Sequence, residues 1–344
     1  MRVNTLQLAQ FRNFASRSFD FKELVLVVGP NGSGKTNLIE AIRMLSLMKS
    51  FRARSDQETI EFEKDYFRIE ADFQPGNDEQ KASKIALFLG KDELGGFRKG
   101  VKISGVTKRL TEAIGSIKTV LFTADELNLV GGPPIKRRHF MDFLLSQLDR
   151  KYLFALAQYK QVLRQRGELL NWIKLGQAAA TELETWDPGL VEHGQYILGK
   201  RQKLVEFFNQ ILPEAMRLEP RFKLLSLETL KQSMAKDIAL AATTVGPHRD
   251  DFELILNNKS LAKYGSRGQW RKAITLLKVA EVEYIFHISK EKPVLLADDL
   301  FSELDLTNRQ LVEFRNVGQS IYTTPEISLV PEPLRKQAQI IELS

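Results

Sequence analysis

The stretch VVGPNGSGKTN, residues 27–37, constrains this 344-residue chain more than any other. Gly29, four further residues and then Gly34-Lys35-Thr36 fit the P-loop template, and the apolar run 24–28 before it reads as a buried strand. Across Gly29, Pro30, Asn31, Gly32, Ser33 and Gly34 the glycines permit backbone geometry and close approach that a Cβ would block, so successive N–H groups can cradle an anion. Lys35 adds a positive charge for the β and γ phosphates of a nucleotide, and Thr36 offers a hydroxyl to Mg²⁺. Residues 37–48 repeat apolar positions at helical spacing (Leu38, Ile39, Ile42, Leu45), which sets a helix N-terminus against the phosphates. An accidental glycine turn need not supply Lys and Thr in this register.

The length allows two domains, or one large domain with an insert. No window of eighteen apolar residues occurs, and the opening MRVNTLQLAQFRNF has no apolar export segment, so the expectation is a cytoplasmic protein that does not span a membrane. There is no cysteine, which excludes disulfides, thiolate metal sites and thiol nucleophiles. His139, His193, His248 and His287 are scattered without zinc-like spacing, leaving Mg²⁺ as the expected metal. The formal net charge is +7, and it is concentrated: residues 135–175 carry nine basic side chains, Arg137, Arg138, Arg164 and Arg166 among them, against three acidic ones. Such a face suits a polyanion, although a solvated helix surface has the same composition.

Strand-like runs at 3–8, 17–21, 24–28, 66–73, 85–89 and 101–103 surround the P-loop helix. Residues 125–240 change to helical periodicity, and FELILNNKSLAKY (252–264) then reads as a hairpin turning at Asn257-Asn258. A helix to about residue 288 and a second buried strand at 293–298 follow. The expected organisation is an ATPase lobe over 1–124 and 241–344, interrupted by a helical lobe over 125–240 that would carry DNA or dimer contacts. The apolar steps from Leu145 to Leu163 end near Gly176, too soon for a long coiled coil.

A P-loop needs a strand that ends in an acid for the metal. VLLADD (294–299) provides Asp298 for that role, and Asp299 beside it can orient or deprotonate an attacking water. About thirty residues earlier, in YGSRGQWRK (264–272), Ser266, Gly268 and Gln269 occupy the places of Ser, Gly and Gln in the ABC signature, with Arg267 between them. SELD (302–305) and SIYTT (320–324) complete the motif order of ABC-type ATPases.

The chain resembles the RecF family, relatives of SMC proteins without a long coiled coil, over essentially its whole length. The resemblance rests on FRNF (11–14), GPNGSGKTN (29–37), KRRHFMD (136–142), LRQRGELL (163–170), TTVGPHRDDF (243–252), SRGQ (266–269) and LLADDLFSELD (295–305). It implies an α/β fold: an ABC-type P-loop ATPase head, with a mixed sheet around the P-loop helix, and an inserted, mainly helical second lobe. It further implies an ATP-dependent homodimer in which Ser266 and Gly268 of one chain close over the γ-phosphate held by Gly29–Thr36 of the other. Thr36 and Asp298 would then hold Mg²⁺, Asp299 would be the catalytic acid, Asp305 a dimer contact in the D-loop and Thr324 the switch position. ABC proteins usually carry Glu and His where Asp299 and Thr324 stand, which suggests slow hydrolysis. The implied activity is a weak, DNA-stimulated ATPase that gates a clamp of recombinational repair and replication restart on the nucleoid. The clamp would bind double-stranded and gapped or junction DNA, with RecR-like and RecO-like mediators that load recombinase on single strands.

Two local departures from the family pattern are Ala124, where a proline is expected, and Trp270, where a second glutamine is usual. The role of His248-Arg249-Asp250-Asp251 is open between a structured turn and a contact with DNA or nucleotide. Two other functions share the P-loop. A transporter's nucleotide-binding subunit is disfavoured by the basic region, and a small-molecule kinase has no use for a signature motif.

Overall fold

The computed structural model describes residues 1–76, 82–303 and 315–344. The chain divides into two compact units, residues 1–127 with 271–344, and residues 128–270.

The first unit is built on two sheets. One is antiparallel, in the order β2 (Phe14–Asp20), β1 (Arg2–Phe11), β4 (Tyr66–Gln74), β5 (Ser83–Lys91), β6 (Phe97–Ile103) and β7 (Val106–Lys108). Alternation sets its inner face: Phe67, Ile69, Ala71 and Phe73 point inward from β4, and Ile85, Leu87 and Leu89 from β5. A register shift between Val3 and Thr5 lets Val3 and Leu6 both face the core despite their odd separation. The other sheet is parallel, in the order β14 (Gln339–Glu342), β3 (Leu24–Val28), β13 (Gln319–Thr324), β12 (Val294–Ala297) and β8 (Thr119–Phe122). Its central strands β12 and β3 read as unbroken apolar runs because a parallel strand is covered on both faces. The strand types expected in one mixed sheet are thus divided between two.

The P-loop helix α1 (Lys35–Leu47) packs against both sheets, and Leu38, Ile39, Ala41, Ile42, Met44 and Leu45 join their core. A helix buried on every side has no solvated face for its charges, so each needs a partner. Glu40, fully buried, meets Arg12, and Arg43 donates to Thr119 O. In the same unit Lys278 pairs with Glu126 and Glu281. Burial pushes the Glu126 carboxyl upward, with Lys278 opposing.

The second unit contains α2 (Pro134–Leu148), α3 (Arg150–Lys174), α4 (Asp187–Ile211) and α5 (Leu227–Leu240), with a small antiparallel sheet ordered β11 (Lys259–Ser260), β10 (Asp251–Leu256) and β9 (Met216–Arg221). Asn257 and Asn258 both adopt positive φ, the geometry of the hairpin turn expected there. α3 packs along α4 and ends at Lys174, a lobe helix rather than the start of a rod. The mainly helical second lobe also holds the strand β9 within 125–240. Only Met216 and Leu218 of β9 are buried, too short a run for its period to show. The second lobe boundary is corrected, from 240 to 270. The hairpin pairs with β9, and this holds residues 241–270, the signature included, in the second unit.

Candidate nucleotide site

The P-loop sits where β3 ends and α1 begins. A Cβ on Gly29 would lie 2.3 Å from Leu343 O, and Gly34 has φ 101° with the Asn13 amide 2.6 Å from the place a Cβ would take. Both positions therefore require glycine. Lys35 is nearly buried, and its Nζ donates to Gly29 O (2.6 Å) and Pro30 O (2.8 Å), folding the cation across the loop.

The strand β12, one place beyond β13 from β3, brings the acids to this loop. Asp298 follows β12, and its two oxygens accept from Thr36 Oγ1 and Thr323 Oγ1, each at 2.7 Å. Thr323 Oγ1 also accepts the backbone N–H of Asp299 at 2.9 Å. Asp299 has φ 53°, a left-handed kink that ends the strand and that Asp tolerates better than most residues. Thr36 and Asp298 offer a hydroxyl and a carboxylate side by side. Such hard oxygen donors fit Mg²⁺, which takes only one or two protein carboxylates and completes its shell with water and phosphate.

FRNF braces the loop from β1. Arg12 donates to both Glu40 oxygens at 2.9 and 2.8 Å, and Ser50 Oγ donates to the same carboxylate. Asn13 Nδ2 donates to Ser33 O (3.2 Å) and its Oδ1 accepts from Asn37 (2.9 Å). These supporting roles were invisible in sequence: FRNF is separated from the P-loop along the chain, and Glu40 reads as an ordinary helix-surface acid. Thr324 reaches the site through its backbone. Its carbonyl accepts from Gly29 N (3.3 Å), while its buried hydroxyl donates to Glu326 O (2.9 Å) and is not presented to the loop. Asp305 lies outside the described residues.

In the second unit the signature residues form a helix start. Ser266 precedes α6 (Arg267–Ser289), its N–H donates to Gln269 Oε1 (2.8 Å), and Gln269 N–H donates to Ser266 Oγ (3.3 Å). This reciprocal capping leaves Ser266, Arg267, Gly268 and Gln269 exposed. Trp270, the departure from the usual glutamine, turns away and donates to Leu261 O at 2.8 Å.

The basic candidates separate. Arg166 has no exposed surface; it pairs with Asp187 (2.7 Å) and Asp237 (2.9 Å) and donates to Thr243 Oγ1 (2.8 Å). Arg137 is nearly buried in a two-pronged pair with Asp251. Both are corrected from surface phosphate contacts to internal ion pairs: helical periodicity put them on a basic face, but their acidic partners lie 21 to 114 residues away in sequence. Arg138, half-buried, donates to Asp250 O (2.9 Å), and Arg164 is exposed.

The segment 243–251 is a structured turn around these arginines. Arg201, buried, meets Asp142 and Asp250, each at 2.8 Å, and Pro247 O at 2.7 Å. His248 Nε2 faces Thr243 O at 2.9 Å, an acceptor only, so Nε2 carries the proton and Nδ1 accepts from Tyr159 Oη at 2.7 Å. Burial holds the His248 pKa down at about 4, with Arg249 and Arg138 adding to the effect and the Thr243 carbonyl and Asp237 only partly opposing it.

Comparison with known proteins identifies the family and the fold. The family model for the RecF/RecN/SMC N terminal domain matches residues 2–320. The chain is 34% identical to the DNA replication and repair protein RecF of Lachnoclostridium phytofermentans, covering 89% of this chain and 87% of that one. Its fold superposes on the recombination mediator protein RecF-ATPrS of the RecFOR pathway with a TM-score of 0.86 at 30% identity, covering 100% of this chain and 96% of that one. An SMC head bound to the C-terminal winged-helix domain of ScpA shares the fold at 15% identity, with a TM-score of 0.53 and coverage of 100% and 94%. The fold is an ABC-type ATPase head with an inserted second lobe, and the chain belongs to the RecF family.

Proposed function

We propose that this protein is an ATP-gated DNA clamp of recombinational repair and replication restart. Gly29–Thr36 bind ATP, Thr36 and Asp298 hold Mg²⁺, and Ser266 and Gly268 of a second copy complete the site, so nucleotide binding drives a homodimer. One observation carries this reading: a signature turn that stands exposed at a helix start. Gly268 lies in the first turn of α6, where Gly is a poorer helix former than Ala, yet the nearest atom to a Cβ there would be 4.0 Å away. Among the described residues nothing crowds that position, whereas a phosphate approaching the exposed helix start from another molecule would require it to be open. Mg²⁺, when bound, neutralises charge on the β and γ phosphates. Asp299, held by its N–H on Thr323, orients or deprotonates the attacking water.

Hydrolysis is slow and releases the clamp, since Asp299 is a shorter acid than usual and the Thr324 hydroxyl is held by Glu326. The recombination mediator of the RecFOR pathway supports the recombinational role; in this reading the ligand is gapped or junction DNA, and RecR-like and RecO-like mediators help load recombinase. The test is binding to duplex, single-stranded and gapped DNA, each with and without ATP and Mg²⁺. ATP-stimulated binding is expected. Absence of DNA binding would favour a transporter subunit, and phosphoryl transfer to a metabolite in place of phosphate release would favour a kinase.

A further inference from the structure

The turn at 243–251 commits almost every polar side chain inward. Thr243 serves Arg166, Thr244 serves Asp237, His248 serves Tyr159, Asp250 serves Arg201 and Asp251 serves Arg137. Arg249 is the exception. It is exposed, and its guanidinium donates to Thr243 O over a long 3.4 Å. It opens onto a cleft of about 300 Å³ within the second unit, lined also by Arg221, Lys223, Lys236, Leu240 and the buried Asp250. Arg221 is paired with Glu253, and the Asp250 carboxylate is already taken by Arg201. Lys223 and Lys236 form no ion pair among the described residues. The cleft therefore gathers three cations that no acid of the second unit neutralises. Like charges crowded in one concavity raise its potential and attract an anion. Arg249 supplies a planar fork suited to two phosphate oxygens, and the lysines act as point charges beside it.

We propose that this cleft is a phosphate site that grips the nucleic-acid backbone, an inference that rests on the DNA-binding function proposed above. Its spacing along the chain explains why composition did not reveal it: residues 221, 223, 236 and 249 come from β9, the loop after it, α5 and the turn. The basic run at 135–175 contributes none of them.

The test uses the full chain with ATP and Mg²⁺ and fluorescently labelled duplex and gapped DNA. Lys236→Glu with Arg249→Glu should weaken binding at least tenfold at low salt. It should also lower the slope of log K against log salt by about 2, at about 0.9 for each phosphate that the protein no longer neutralises. Nucleotide affinity, set in the other unit, should stay unchanged, and the tryptophan fluorescence of the second unit shows that the variant is folded. A charge-matched pair, Lys102→Glu with Lys108→Glu on β6 and β7, should lose less than threefold. Equal loss in the two pairs assigns the effect to net charge and overturns the site, as does a Lys236/Arg249 variant that binds like the wild type. Inorganic pyrophosphate at matched ionic strength should compete only at millimolar concentration. Competition at micromolar concentration would make the ligand a free anion and overturn the nucleic-acid assignment. A wild type that binds no DNA would instead refute the proposed function itself.

Discussion

Replacing Arg166 by Ala should remove much of the second lobe's stability margin. The guanidinium has no exposed surface, and its removal strands Asp237, also without exposed surface, and Asp187, which is 18% exposed. Asp237 would keep Thr244 N–H and the hydroxyls of Thr244 and Ser233, but no countercharge. Breaking one partner of a buried ion pair costs about 3–5 kcal/mol. Because three neutral donors remain and Asp187 can hydrate, the lower half of that range is expected, against a domain stability of about 5–15 kcal/mol. Trp172, Trp186 and Trp270 are the chain's three tryptophans and all lie within 128–270, so intrinsic fluorescence in urea reports on this unit. With m near 2 kcal/mol/M, the midpoint should fall by roughly 1.5–2 M. Arg166→Met combined with Asp237→Leu should cost less than Arg166→Met alone, since no buried charge is then left unpaired. The salt slope of DNA binding by the folded Ala variant should equal that of the wild type. An unchanged urea midpoint together with a flatter salt slope would refute the structural role and return Arg166 to the DNA surface.

The remaining predictions concern protons and phosphates. His248 has a folded pKa of about 4 against 6.5 unfolded, so the unfolded chain binds the proton first as pH falls. The stabilisation is complete above pH 6.5 and fades toward pH 4, with about 2 kcal/mol lost between pH 7.5 and 5. His248→Gln should remove that part of the pH dependence in tryptophan-monitored unfolding, and an identical pH profile would contradict it. Lys35→Ala should lower ATP affinity by more than tenfold in titration while the fold persists, since among the described residues Nζ bonds only Gly29 O and Pro30 O. Asp299→Asn should retain ATP and slow phosphate release by at least about 10²-fold, the usual worth of a general base. Asn accepts the left-handed backbone at this position, so a wild-type rate would show that the base lies elsewhere.

How far the sequence could be read depended on whether a feature is local. The P-loop, the acid-tipped strand and the Asn257-Asn258 turn were legible because contiguous residues fix their geometry. Asp298 was found by its strand, but the Thr323 hydroxyl that holds its second oxygen was not, because the neighbour across a parallel ladder has no fixed sequence spacing. The basic run misled for a related reason. Arginine on a helix looks solvated until its acid is known, and Asp237 and Asp251 arrive from other elements of the second lobe. The lobe boundary at 270 followed from pairing of β9 with β10, and that pairing was hidden because β9 buries only Met216 and Leu218.

The central claim is that one chain's signature closes another chain's nucleotide site, and sedimentation of the Ser266→Arg variant with and without ATP tests it most directly. Ser266 lies in the second unit, Lys35 in the first, so the variant's own P-loop keeps its residues and its ATP affinity. Loss of the Ser266 cap costs about 1 kcal/mol, too little to unfold α6, whose buried face from Ala273 to Ile285 remains. Wild-type protein should become dimeric on adding ATP and Mg²⁺, while Ser266→Arg stays monomeric at every ATP concentration that saturates it. Mixing Ser266→Arg with Lys35→Ala should form ATP-dependent heterodimers, joined through the variant's P-loop and the partner's intact signature. Ser266→Arg homodimers at wild-type levels in the presence of ATP would contradict the composite site and the clamp built on it.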